Sequence, residues 1–270
     1  MDRIVAVNSN TYHGYSLENA LTGIADAGFH HVELTATKGW TEHVFPSMSL
    51  RELWAIKDDL LENGLQPFSL SGHTNLMDKD RIADFIANIR LAAFFGCTYI
   101  ISSIGEAHLE DKAEASDEEV AKQIRDLLPY LEEYGLTLGL ENHGKHATGK
   151  HLKHIVDLVD SPLVMINYDT ANAVFYGHVD VEEDLAACIE KVGHIHLKDK
   201  GGEWNEWNFP AIGKGTLNFK RIFQLLNEAK NACPVSIEIE FTQAGPQDLA
   251  EVHEAVRDSA EALKALGLKL

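Results

Sequence analysis

Four short apolar or β-branched runs in the second half of the chain end in side chains that bind metals or move protons. TLGLE closes on Glu141, with Asn142 and His143 behind it, and VMINY is followed by Asp169, Thr170, Ala171 and Asn172. HIHLK carries His194, His196 and Lys198 and runs into Asp199, while VSIEIE carries Glu238 and Glu240. A carboxylate buried alone is costly. Four such runs, each bringing an acid or an imidazole to one level, are best explained by a shared divalent cation. The expected ligands are Glu141, Asp169, His196 and Glu238, spaced by 28, 27 and 42 residues, the last step lengthened by the loop 199–216. Side chains alternate along a strand, so His194 and His196 share a face, and His196 is preferred as the one nearer the strand's end. Glu238 and Glu240 pose the same ambiguity, which the alternation alone leaves open. Three carboxylates and one imidazole form a hard donor set that suits Mn²⁺, Mg²⁺ or Co²⁺, with Zn²⁺ as a further candidate. Taken singly, each strand-end acid reads more simply as a helix cap or ion-pair partner; only the set points to a metal.

The elements that must position these residues alternate along the whole chain. Eight strand candidates (4–8, 31–35, 67–71, 98–102, 137–141, 164–168, 194–198 and 235–240) alternate with amphipathic stretches. The latter predict helices over 16–27, 49–63, 79–95, 117–134, 149–159, 180–191, 218–231 and 247–266. Ser16, Ser49, Asp117 and Asp180 are candidate N-caps, and Gly28, Gly64, Gly96 and Gly135 follow helical stretches just before the next strand. Eight βα units predict an α/β fold, a single (β/α)8 TIM barrel over residues 1–270, whose active site lies at the C-terminal mouth of the strands. A doubly wound sheet would show G-x-G-x-x-G after its first strand; here NSNTYHG stands in that place.

Composition narrows the partners. Lys+Arg 23 against Asp+Glu 42 gives a net charge of −19. This argues against nucleic-acid binding, which needs a basic surface, and against anionic membranes. Cys97, Cys188 and Cys233 lie far apart with no C-x-x-C spacing, so neither a disulfide framework nor a thiolate zinc site is expected. The N-terminus lacks the pattern of a signal peptide, and no apolar run reaches the length of a membrane span, so a cytoplasmic location is expected.

With LEN at 140–142, NYDTAN at 167–172, HIHLKD at 194–199, IGKGTLNF at 212–219 and SIEIE at 236–240, the chain resembles the xylose-isomerase-like barrels. That family includes sugar isomerases and 3-epimerases, inosose dehydratases and hydroxypyruvate isomerases, with the endonuclease IV type as a relative. The resemblance spans the eight units. It implies Glu141, Asp169, His196 and Glu238 as metal ligands, its strand-eight register favours Glu238 over Glu240, and it makes Glu141 and Glu238 the acid/base pair. Where many relatives have a histidine three residues after the strand-six Asp, this chain has Asn172, which can hydrogen-bond but cannot titrate. The endonuclease type's Asp-x-His pair is replaced by Trp207 and Phe209, so a three-metal phosphodiesterase site cannot be assembled. The epimerases' Arg after the strand-seven His is also missing, and Lys198 is the nearest cation.

The chemistry implied is proton transfer beside a carbonyl. A metal polarises the carbonyl and adjacent hydroxyl of a small sugar or keto-sugar, and one glutamate removes a proton that the other returns. This predicts an isomerase or epimerase. A lyase or dehydratase acting on a keto-sugar, keto-inositol or 3-keto-glycoside through the same enediolate is the alternative, and a non-catalytic sugar-binding barrel the remote one. His73, His143, Asn172 and Lys198 are the further substrate-contact candidates, with Glu33 as a supporting carboxylate or a merely structural one. Trp40, Trp204 and Trp207 fall in βα loops, where aromatics stack on sugars, pack loops together or form a dimer interface, so a homo-oligomer stays open. Gly213-Lys214-Gly215-Thr216 reads as a tight turn rather than a phosphate cradle.

Overall fold

The computed structural model describes residues 2–270. Eight parallel strands close into a barrel: β1 (Val5–Asn8), β2 (His31–Thr35), β3 (Gln66–Ser71), β4 (Tyr99–Ser103), β5 (Thr137–Glu141), β6 (Val164–Asp169), β7 (Val192–Leu197) and β8 (Val235–Ile237). β8 pairs with β7 on one side and β1 on the other, which removes any free edge. The crossovers are α1 (Leu17–Asp26), α2 (Leu50–Glu62), α3 (Ile82–Phe95), α4 (Asp117–Tyr134), α5 (Gly149–Val159), α6 (Thr170–Phe175), α7 (Val181–Cys188), α8 (Phe219–Glu228) and α9 (Leu249–Ala265). This is the single (β/α)8 barrel that the alternation predicts. Among the described residues no helix is long and apolar enough to cross a membrane.

Local signals set most helix ends. Ser49 and Ser116 form capping boxes with Glu52 and Glu119, so the cap of α4 is Ser116 and not the neighbouring Asp117. Gly96 and Gly135 end α3 and α4 in the left-handed region, at φ 77° and 66°, where a side chain would be strained. Between strands and helices lies the apolar core, with Leu34, Ile100, Leu138, Ile166, Ile195 and Ile237 fully buried. The barrel interior itself is polar: Asn8, Glu33, Ser69, Asn167 and His194 are all buried there and hydrogen-bonded to one another.

The structure departs from the predicted elements at the mouth. The eighth strand ends at Ile237 instead of running to 240. Beyond it the Glu238 amide donates to the Leu197 carbonyl and the Glu240 amide to that of Phe209. Phe241 then turns at φ 57°, and Phe241–Thr242 pairs antiparallel with Asn208–Phe209 from the long loop. The segment predicted as one helix over 180–191 is α7 followed by a 3-10 turn, Ile189–Lys191. The short helix α6, directly after β6, has no counterpart among the predicted helices.

Candidate active site

The strand ends deliver their side chains to one narrow, polar-lined cavity. Glu141 and Glu238 line it with His73, His143, Asn172, Lys198, Tyr176 and Trp207. Beneath them, fully buried, lie Asp169 and His196.

His196 is the centre of the arrangement. Its Nε2–H donates to Glu33 Oε1 at 2.7 Å. Its Nδ1 stands 2.6 Å from Glu141 Oε2 and 3.7 Å from Glu238 Oε2, yet makes no aligned hydrogen bond. Asp169 divides its oxygens in a complementary way. Oδ1 accepts from the amides of Ala171 and Asn172 and so caps α6, while Oδ2 is buried without a hydrogen-bond partner. The cap reading and the ligand reading of this residue thus use different atoms. Glu141, Asp169 and His196 offer ligand atoms that all lie within 4.8 Å of one another. Two unpartnered ligand atoms facing a common space, with the other imidazole nitrogen held by a carboxylate, fit a divalent ion.

Amides hold the two glutamates. Glu141 accepts from Asn167 at 2.9 Å and from Asn172 at 3.2 Å, and lies 3.2 Å from His73 Nε2. Glu238 Oε1 accepts from Asn10 at 2.9 Å and Asn8 at 3.2 Å. Lys198 Nζ sits 2.5 Å from Glu240, 3.3 Å from Glu238 and 3.8 Å from Asp169, with the Phe209 ring below it. Glu33 accepts from Asn8, Ser69 and His196, which makes it the support of the imidazole.

The electrostatics follow from three carboxylates, Asp169, Glu238 and Glu240, around Lys198 and two more, Glu33 and Glu141, against His196. Burial opposes every charge here, and the partners decide the outcome. Burial would raise the Glu141 carboxyl, but His196 and His73 hold it well below its ordinary range. Burial would lower the His196 imidazole, but Glu33 and Glu141 lift it well above its ordinary value. Asp169 is pushed up to about 7 by burial, with the charges of Glu141 and Glu238 adding to the rise against the pull of Lys198. Glu240 is raised by burial despite Lys198. This surplus of negative charge is what a bound cation would relieve. Burial pushes His143 down to about 4, so its ring is neutral at pH 7.

Of the residues predicted from sequence, the structure brings Glu141, Asp169, His196, Glu238, His73, His143, Asn172, Lys198 and Trp207 to this cavity or its floor. It does not bring Trp204 there. That side chain, expected among the sugar contacts, is 51 % exposed and packs edge-on against His178 at another surface. His194 lies one layer deeper, opposite Asn167 in the register, and bonds to it at 2.7 Å. The glycines of 213–216 wrap a protein carboxylate: Asp199 accepts from the amides of Gly213, Gly215 and Leu217. A Cβ on Gly215 would stand 2.3 Å from Asp199 Oδ1, so glycine is required there. Sequence reading missed Asn8, Asn10, Asn167, Tyr176 and His108. Asn8 carried a signal, since it ends β1, whereas Asn10 lies in the 3-10 turn Ser9–Tyr12 that follows.

A family model described as xylose isomerase-like TIM barrel matches residues 21–266. The chain belongs to this family. Solved structures resemble it over nearly its full length. A D-psicose 3-epimerase superposes with a TM-score of 0.78 at 16% identity, covering 97% of this chain and 99% of that one. The 3-keto-D-glucoside 4-epimerase YcjR from E. coli gives 0.73 at 17% identity, covering 98% and 100%. The IOLI protein, solved with a binding zinc atom, gives 0.75 at 18% identity, covering 97% of each. No curated protein matches the chain. At these identities the likeness is one of fold, and the chemistry rests on the residues of the family member described above.

Proposed function

We propose that this protein is a divalent-metal-dependent isomerase or epimerase of a small sugar or keto-sugar. The observation that carries the reading is the pair Glu141 and Glu238 flanking His196 Nδ1, above the unpartnered Oδ2 of Asp169. The sugar epimerases among the similar folds support it. Glu141, Asp169, His196 and Glu238 would hold the ion, with Mn²⁺ as the first choice and Mg²⁺, Co²⁺ or Zn²⁺ as alternatives. An ion there supplies Lewis acidity, polarising a substrate carbonyl and the hydroxyl beside it.

The chain's own residues do the rest. Glu141, kept ionised by His73 and oriented by Asn167 and Asn172, takes the proton from the carbon next to the carbonyl. Glu238, held by Asn8 and Asn10, delivers a different, solvent-exchangeable proton from the other side, and both carboxyls are then restored by proton exchange with water. Lys198 offsets the negative charge that develops on the substrate oxygens. Neutral His143 hydrogen-bonds a sugar hydroxyl, and Trp207 and Trp40 wall the cavity against bulk water.

The test is a panel of keto-sugars incubated in D₂O with added Mn²⁺. Deuterium uptake at a carbon beside the carbonyl, with interconversion of epimers or of aldose and ketose, is the expected result. Uptake followed by an enone or a released aglycone would assign a lyase to the same site. Binding of these sugars with no exchange at any carbon would overturn the enzymatic reading.

A further inference from the structure

A second cluster of ligating side chains lies outside the cavity. Asp117 opens α4, His146 sits in the loop after β5, and His151 lies in the first turns of α5. Their ligand atoms all fall within 4.8 Å of one another. We infer that Asp117, His146 and His151 form a peripheral binding site for a zinc ion.

Three observations carry this. First, His151 Nε2 is 3.1 Å from both oxygens of Asp117, close to the roughly 3.4 Å edge of a tetrahedron built on metal bonds of about 2.1 Å. Second, His146 is only 8 % exposed, its ring lies 4.9 Å from that of His151, and it makes no side-chain hydrogen bond to any described residue. Neither ring nitrogen is committed to a protein partner among the described residues, so either can take a metal. Third, His154 Nε2 stands 3.9 Å from Asp117 Oδ2, a donor within reach of a fourth position.

The donor set selects the ion. Two or three imidazoles and one carboxylate favour zinc over the Mn²⁺ or Mg²⁺ that suits a carboxylate-rich site. Its position gives it leverage on the rim. Asp117 follows the 104–116 loop, which brings Ala107 and His108 to the cavity, and His146 shares its loop with His143. An ion here would tie these two loops together without touching the cavity.

The experiment compares metal-stripped wild type with the His146→Ala/His151→Ala variant, both titrated with Zn²⁺ and assayed for bound metal per chain. Wild type is expected to bind one ion more than the variant. Equal stoichiometry at saturating zinc would overturn the site and leave Asp117 and His151 as a simple ion pair. The difference of one ion holds whether or not the barrel centre also binds zinc, so the two readings fail separately. Should the variant not fold, wild-type carbethoxylation by diethylpyrocarbonate gives the answer. One equivalent of Zn²⁺ beyond saturation of the barrel centre should slow modification of His151 several-fold, and an unchanged rate would overturn the inference.

Discussion

His196 and Glu33 form a buried pair across the barrel, Nε2 to Oε1 at 2.7 Å, from strands β7 and β2. The contact fixes which imidazole nitrogen faces the cavity. With Nε2–H committed to the carboxylate, Nδ1 is directed to the space shared by Glu141 and Glu238. Both partners are fully buried, so solvent cannot substitute for either.

Glu33→Gln tests this support. The amide keeps the shape but loses the charge that makes the imidazole a stronger ligand. Divalent-metal affinity should fall roughly 10- to 100-fold, the usual effect of removing such an outer partner. Calorimetric titration with Mn²⁺ measures it. Wild-type affinity in a folded variant would show that the pair only packs the barrel.

Glu141→Gln separates ligand from base. Glutamine still offers an oxygen but cannot take a proton, so at saturating metal the rate should drop by roughly 10²–10⁴-fold. Asp169→Asn has no base to lose, so its activity should track its metal content and recover in part with excess Mn²⁺. Parallel assays of bound metal and turnover decide between them. Full activity of Glu141→Gln would move the base to His143, His73 or Lys198.

Glu238 and Glu240 have distinct tasks in this geometry. Glu238 is the one facing His196 Nδ1, at 3.7 Å, whereas Glu240 reaches Lys198 at 2.5 Å and Asn10 at 3.2 Å. Glu238→Gln should therefore abolish turnover and weaken metal binding, and Glu240→Gln should do less. The reverse order in the same assays would show that Glu240 is the working carboxylate.

His43 provides a pH-dependent test of stability away from the cavity. Burial holds its pKa below the ordinary value, with the bond from Nε2 to the Tyr15 carbonyl at 3.1 Å only partly opposing this. The unfolded chain therefore takes up the proton first as pH falls through about 6.5. In that window the unfolded state binds more protons, so this group's contribution to stability is present above about 6.5 and lost on acidification. His43→Gln cannot titrate. The stability difference between wild type and variant, from urea unfolding, should shift in the variant's favour between pH 7 and pH 5. A constant difference would show that His43 keeps its ordinary pKa in the fold.

The eight βα units, their order and the strand ends bearing Glu141, Asp169 and His196 were all legible in the sequence. These depend on local patterns: apolar runs of strand length, helical periodicity, caps such as Ser49, and glycines such as Gly135. A parallel barrel then places consecutive strand ends side by side, so strand position alone brings these three residues together. Tertiary structure decided what depends on contacts between distant segments. Glu33 became the partner of His196 because β2 and β7, separated by β8 and β1, both turn these side chains into the closed barrel. The eighth strand stopped at Ile237 because Phe241 and Thr242 found partners in Asn208 and Phe209, a loop pairing that no periodicity encodes. Asp199 captured the turn at 213–217 through backbone amides, which carry no residue-type signal. Trp204 was placed by its loop's path against His178, and loop paths are set by the packing of the whole rim rather than by residues near in sequence.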